Sequence, residues 1–174
     1  MNIFKKFIII FYLATFYPSV SLADTPFFLD FKYILNKSDA GSKAQTFLRN
    51  KLEKGIKNIQ AKEKNILSEE KKIIQQKKII SPEEYKKKVS ELRVKVSSLQ
   101  KQRQTLIDSV GKQRTKARNE LLKNLNPIIK TYMAEKKIRM VVDKKSLLLA
   151  DENLNITEDI MALLNKKLKS IKLN

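Results

Sequence analysis

Leu52, Ile59, Ile66, Ile73 and Ile80 recur at seven-residue intervals. Further on, Tyr85, Val89, Leu92, Val96, Leu99, Arg103, Leu106, Val110, Gln113 and Ala117 alternate spacings of four and three. Both runs are heptad stripes, with Arg103 and Gln113 as polar exceptions in the second, and each predicts a long amphipathic helix. Between them lies Ile80-Ser81-Pro82-Glu83-Glu84. Ser81 suits an N-cap, Pro82 the first helical position and Glu84 the far side of a capping box. One helix is therefore expected to stop near Ile80 and the next to start at Pro82, the two pairing as an antiparallel coiled coil.

With the turn centred near residue 81, Ile73 faces Val89, Ile66 faces Val96, Ile59 faces Arg103 and Leu52 faces Val110. Tyr85, Leu92 and Leu99 then oppose Lys77, Glu70 and Glu63. Layers of that kind lack an apolar partner, which leaves Leu92 and Leu99 for contacts outside the hairpin. Such an arm would reach roughly 57 Å at the helical rise per residue. After Ala117 the stripe shifts to Leu121, Leu125, Ile128 and Tyr132 in the manner of a stutter, and Asn126-Pro127 is expected to kink or restart the helix.

The flanks have a different texture. Phe27-Phe28-Leu29-Asp30-Phe31 reads as a strand, residues 33–36 as a brief helix and Asp39-Ala40-Gly41 as a turn. Residues 138–143 and 146–150 read as two more strands, and 151–155 as a loop. Thr157 is expected to cap a last helix carrying Ile160, Leu164, Leu168 and Ile171 on one face. Three short strands bury little core and leave open edges, so this unit is expected to self-associate, with strands from several copies closing a shared barrel. Phe28, Leu29, Phe31, Met140, Val141, Val142, Leu147 and Leu149 are its expected oligomerisation residues. The fold class is thus α+β, mostly α, a long hairpin inserted into a small β-rich body.

The first residues stand apart from this pattern. A basic start at 1–6, an apolar run at 7–17 and a small-residue ending Ser21-Leu22-Ala23 predict a secretory signal peptide cut before Asp24. The division is then signal peptide 1–23, body 24–42 plus 138–174, and arm 43–137.

Charge and composition narrow the function. The chain has 174 residues, 37 Lys+Arg against 18 Asp+Glu, and no His, Cys or Trp. Without thiol or imidazole there is no zinc finger, thiol nucleophile, haem-attachment motif or Ser-His-Asp triad, and three Gly are too few for a phosphate-cradling loop. An enzyme is not expected, nor a metal or cofactor. Lys43 to Arg139 holds 27 basic and 10 acidic side chains, a net +17, whereas the flanks after the signal carry −1 and +1. The charge belongs to the arm.

Several residues together carry a family resemblance: the strand ending in Asp30, Ile34-Leu35, Ser38 and Ala40-Gly41 before the first long helix, the basic hairpin, residues 138–143, and Asn155-Ile156-Thr157 before the last helix. In this order, behind a signal peptide, they resemble the Skp/OmpH family of periplasmic chaperones across essentially the whole mature chain. Pro26 stands where the family has an aliphatic strand residue, and Asn155 where Asp is common. The resemblance implies a homotrimer in which a small β-barrel body carries three helical arms around a cavity. It also implies an ATP-independent holdase in the periplasm that keeps unfolded outer-membrane proteins from aggregating. A distributed client surface is then expected at Lys71, Lys72, Lys77, Lys78, Lys86, Lys87 and Lys88, with Tyr85, Leu92 and Leu99. The competing reading is an envelope spacer or adaptor coiled coil that binds anionic lipid or lipopolysaccharide. Specific nucleic-acid binding is a weaker third, since four of the mature chain's seven aromatics lie in the first strand region instead of among the lysines.

Overall fold

The computed structural model describes residues 25–173, so the expected signal peptide and its cleavage point lie outside the described residues. Strand β1 (Phe27–Leu29) starts directly after Pro26 and is shorter than the expected run to Phe31. Asp30 ends it by capping helix α1 (Phe31–Lys37), its carboxylate accepting the Tyr33 N–H at 2.7 Å. Ser38 caps helix α2 (Asp39–Gln76) in turn, accepting from the Gly41 N–H at 3.3 Å. The expected turn at Asp39-Ala40-Gly41 is therefore the first turn of α2, because a cap and a close helix contact at Gly41 override the turn propensity of Asp and Gly.

Helix α2 ends at Gln76, four residues before the expected stop. Ser81 takes an extended backbone (φ −63°, ψ 152°), as a residue before Pro must, and accepts from the Glu84 N–H at 3.2 Å to cap helix α3 (Pro82–Lys136). Residues 77–81 then make the reversal, pinned by the Ile79 and Ile80 N–H groups donating to the Gln76 carbonyl at 2.8 and 3.1 Å. Helix α3 runs through Pro127 to Lys136, so the chain does not restart a helix there. Leu121 and Leu125 before the proline, and Tyr132 after it, are all buried in the body, and that packing offsets the missing backbone hydrogen bond. Lys137 ends α3 in the left-handed region (φ 56°) and turns the chain toward strand β2 (Val141–Asp143).

Strand β2 pairs in parallel with β1, Phe28 lying opposite Val142, and is half as long as the expected 138–143. The expected strand at 146–150 is absent: Lys144–Ser146 is a 3-10 turn, and Leu147 onward is irregular. The segment pairs with no strand among the described residues, and without a ladder an extended segment is not held as a strand. The expected loop at 151–155 contains a 3-10 turn, Glu152–Leu154. Helix α4 (Thr157–Lys167) follows, but Thr157 does not cap it. The Thr157 hydroxyl instead accepts the Asp30 N–H at 2.8 Å and lies 2.6 Å from the Asn155 side-chain oxygen, while the Ile156 N–H donates to the Phe28 carbonyl at 2.9 Å. Asn155 thus serves the turn, and the network ties the two ends of the chain together.

Two buried clusters organise the molecule. Leu29, Ile34, Ala40, Leu125, Ile160 and Leu164 belong to the body core, to which α3 contributes a wall. A second cluster at the root of the hairpin joins Ala44, Leu48, Val110 and Ala117 with Leu173, which is only 4% exposed. The tail after α4 is strapped over that root: the Gln113 side chain donates to the Leu173 carbonyl at 3.0 Å, and Lys169 pairs with Asp39 at 3.0 Å. Burying a leucine side chain contributes about 1.5–3 kcal/mol. Leu173→Ala is therefore expected to release the tail locally, with the bonds after Lys169 and Lys172 losing at least about tenfold in protection from trypsin while the hairpin keeps its own. Equal protection in the variant would show that the strap does not depend on this side chain. None of the described helices is long and apolar enough to cross a membrane.

Candidate functional site

The hairpin seam has an apolar spine with polar clamps at its edges. Ile59, Ile73, Leu99 and Val110 are buried along it. Lys77 Nζ lies 5.8 Å from the centre of the Tyr85 ring, the pairing that the register predicts. Along the seam's edges, carboxylates take cations from the opposite helix: Glu63, from one of the weaker layers, binds Arg103, and Glu69 binds Lys95 at 2.5 Å. Lys62 donates to Gln102 at 2.5 Å, and Lys51 to Ser109 and Gln113 at 2.9 and 3.0 Å. Exposed pairs of this kind contribute about 0–1 kcal/mol each. They set register more than stability.

The burial along the seam corrects one expectation. Leu99 is 9% exposed, covered within its own hairpin, and Leu92 is half-buried. Val96 is exposed where a contact with Ile66 was expected. The apolar surface lies elsewhere: Ile56, Leu67 and Ile74 are exposed on α2, Val94 and Ile107 on α3, and Ile79 at the tip is 82% exposed. Ile56, Leu67 and Ile74 are separated by 11 and 7 residues, which brings them onto one helical face beside the Ile59–Ile66–Ile73 stripe, of which Ile59 and Ile73 are buried and Ile66 half-buried. That second spacing is the sequence signal for them.

The expected cations divide by their surroundings. Lys71 and Lys72 lie near the end of α2, Lys78 in the reversal, and Lys86 and Lys87 on the second turn of α3, all exposed and without an ion pair among the described residues. Lys88 is half-buried, held by Gln76 at 2.8 Å and Glu84 at 3.3 Å, and Lys77 is committed to Tyr85. Five unneutralised ammonium groups therefore share the arm's end with Ile74 and Ile79. Such a surface is complementary in charge and polarity to anionic, partly apolar chains.

The expected oligomerisation residues also divide. Phe28 and Leu29 are core residues of the single chain, and Phe31, Val141, Val142 and Leu147 are half-buried. Met140 is exposed, and Leu149 is 95% exposed beside a fully exposed Leu148. Strand β1 is flanked by β2 and by the Asn155 bridge, while the outer edge of β2 is unpaired among the described residues.

One ionisable group is strongly perturbed. The Tyr132 hydroxyl donates to the Asp159 carboxylate at 2.5 Å, joining α3 to α4. That hydrogen bond, then burial, then the nearby negative charge push the Tyr132 phenol up to about 12. Its folded value is raised above its unfolded value near 10, so the contribution is complete below pH ~10 and lost as pH rises through about 12. Tyr132→Phe is expected to remove the part of alkaline unfolding that falls in that window, read by circular dichroism between those two pH values. An identical alkaline profile in the variant would exclude the phenol as its source.

The sequence pattern of the family described as outer membrane protein (OmpH-like) matches residues 27–164. No curated protein sequence matches the chain. Among solved structures, one from Caulobacter crescentus CB15, described as an OmpH-like outer membrane chaperone, superposes with a TM-score of 0.78 at 17% identity. The superposition covers 90% of this chain and 94% of that one, and at such identity it speaks for the fold. A pattern that runs from β1 into the last helix, through both halves of the hairpin, shows that this chain belongs to the OmpH-like outer membrane protein family.

Proposed function

We propose that this protein is an ATP-independent holdase chaperone of the periplasm, which keeps unfolded outer-membrane proteins soluble between basic helical arms. The observation that carries this reading is the sharing of one arm surface by unpaired lysines and exposed apolar side chains, on a chain of the OmpH-like family. Lys71, Lys72, Lys78, Lys86 and Lys87 supply the field, with Ile74 and Ile79 the contacts. Tyr85, Lys77, Lys88, Leu92 and Leu99 support the hairpin that presents them. Nascent β-barrel chains that are acidic and partly apolar suit such a surface: charge draws them in, and weak dispersed contacts hold them without fixing a conformation.

The active form is a homotrimer closed through a shared barrel. The open edge of β2 and the exposure of Met140, Leu148 and Leu149 support this assembly, since an uncovered edge beside apolar side chains is an association surface. Contact with anionic lipid or lipopolysaccharide headgroups is compatible with the same arm charge. The test is light scattering on the purified protein, followed by dilution of a urea-unfolded outer-membrane protein into it without nucleotide. A trimer mass and a soluble complex of defined stoichiometry are expected. A monomer that leaves the client to aggregate would overturn the proposal, and tight binding to one folded envelope partner would favour a spacer or adaptor.

A further inference from the structure

A second site lies at the opposite end of the arm from the tip. Where α1, the start of α2 and the middle of α3 converge, they enclose a groove of about 380 Å³. Its floor is apolar, formed by Phe31, Leu35, Ala44, Leu48, Ala117 and Leu121. Ala44, Leu48, Ala117 and Leu121 are buried, which makes the floor a continuation of the molecule's own core. Cations stand around it: Lys32 from α1, Arg114 and Arg118 from α3, and Lys145 from the turn after β2. Asp143 is the one carboxylate in the lining, and it is occupied by Lys145 at 3.4 Å and by the Lys145 N–H at 3.2 Å. Among the described residues no carboxylate pairs with Lys32, Arg114 or Arg118.

Arg114 and Arg118 are four residues apart on one helix and so project side by side. Two neighbouring guanidinium groups grip a carboxylate better than two ammonium groups, because their planar forks donate in pairs. Asn36 and Gln45, hydrogen-bonded to each other at 3.0 Å, add amide groups to the lining. An apolar floor, cations on two walls and amides between them complement a polypeptide that carries a carboxylate next to an aromatic or aliphatic side chain. A fatty carboxylate would use the floor and one cation, leaving the amides and the second cationic wall without partners.

We propose that this groove is an anchoring site for short acidic–apolar segments of the client, separate from the diffuse surface of the arm. The inference rests on the holdase reading for the identity of the client. It assigns Arg114 and Arg118 to the carboxylate and the Leu48–Leu121 floor to the apolar side chain. A client held there is tethered at the root while the rest of its chain samples the arms, which raises the local concentration of the remainder.

The probe is a rhodamine-labelled hexapeptide containing Asp-Phe-Asp-Leu, titrated by fluorescence anisotropy with the full chain at low salt. Versions with Asn for Asp, or Ala for Phe and Leu, are each expected to bind at least about tenfold more weakly. The double variant R114Q/R118Q should lose at least about tenfold in affinity with its circular dichroism unchanged, whereas K166Q/K167Q, exposed at the end of α4 and outside both surfaces, should change it less than about twofold. Benzoylphenylalanine in place of the probe's Phe should crosslink to α1 or the root of α2 and α3. Equal binding by R114Q/R118Q, indifference to the apolar side chains, or crosslinks confined to the tip would overturn the site. Saturable binding of dodecanoate without binding of the peptide would overturn it in favour of a lipid. Peptide binding that survives in a protein unable to prevent aggregation would refute the holdase reading and leave the groove standing. Suppressed aggregation without peptide binding would do the reverse.

Discussion

Replacing Gly41 with Ala is expected to destabilise the protein by about 3 kcal/mol or more, read as a lowered urea midpoint. A Cβ at this position would lie 2.1 Å from the Leu35 carbonyl oxygen and 2.9 Å from its carbon. Those are backbone atoms, so no rotamer change relieves the overlap. Either α2 must move away from α1 or the Ser38 cap between them must open. Ile34, Ser38 and Ala40, fully buried in this corner, would be displaced with it. The other two glycines calibrate the effect. At Gly55 the atoms in the way belong to the flexible end of Leu106, and at Gly111 there is nothing within 4 Å. Gly55→Ala should therefore cost less, and Gly111→Ala should stabilise α3 by about 0.5–1 kcal/mol through helix propensity alone. Equal midpoints for all three variants would show that the α1–α2 contact is looser than these distances imply.

The same corner shows why the body was less legible in the sequence than the arm. A seven-residue repeat is local information, and the seam from Leu52 to Val110, its antiparallel pairing and its Lys77–Tyr85 contact all follow from it. The body depends on partners far apart in the chain, such as Asp30 with Thr157 or Asp39 with Asn165. Local propensity therefore misassigned Asp39-Ala40-Gly41 as a turn, Thr157 as a cap and 146–150 as a strand. The arm's charge was fully visible in composition, but which lysines it leaves unpaired was not, because Lys77 and Lys88 are committed by contacts that only the folded hairpin creates. Leu99 failed as an exposed contact for a related reason. Its expected neighbour Glu63 pairs with Arg103, and Leu99 itself is buried.

Changing Lys71, Lys72, Lys78, Lys86 and Lys87 together to Gln is expected to slow client capture by at least about tenfold at low salt and to flatten its dependence on salt. These side chains have no ion pairs to lose among the described residues, so the substitution removes field without breaking a structural contact. Salt shortens the Debye length to about 8 Å at physiological ionic strength, so the loss should be greatest in dilute buffer and shrink as salt rises. Replacing Leu67, Ile74 and Ile79 with Asn should act on the other half of the interaction. Capture would keep its rate, and release would quicken, because short-range apolar contact governs dissociation and the charge governs encounter. Stopped-flow mixing with an unfolded outer-membrane protein separates the two rates, and thermal unfolding of each variant checks that the hairpin is intact. If the lysine variant captured client at the original rate in low salt, the basic arm would be a solvated face, and the apolar stripe of α2 would have to account for binding by itself.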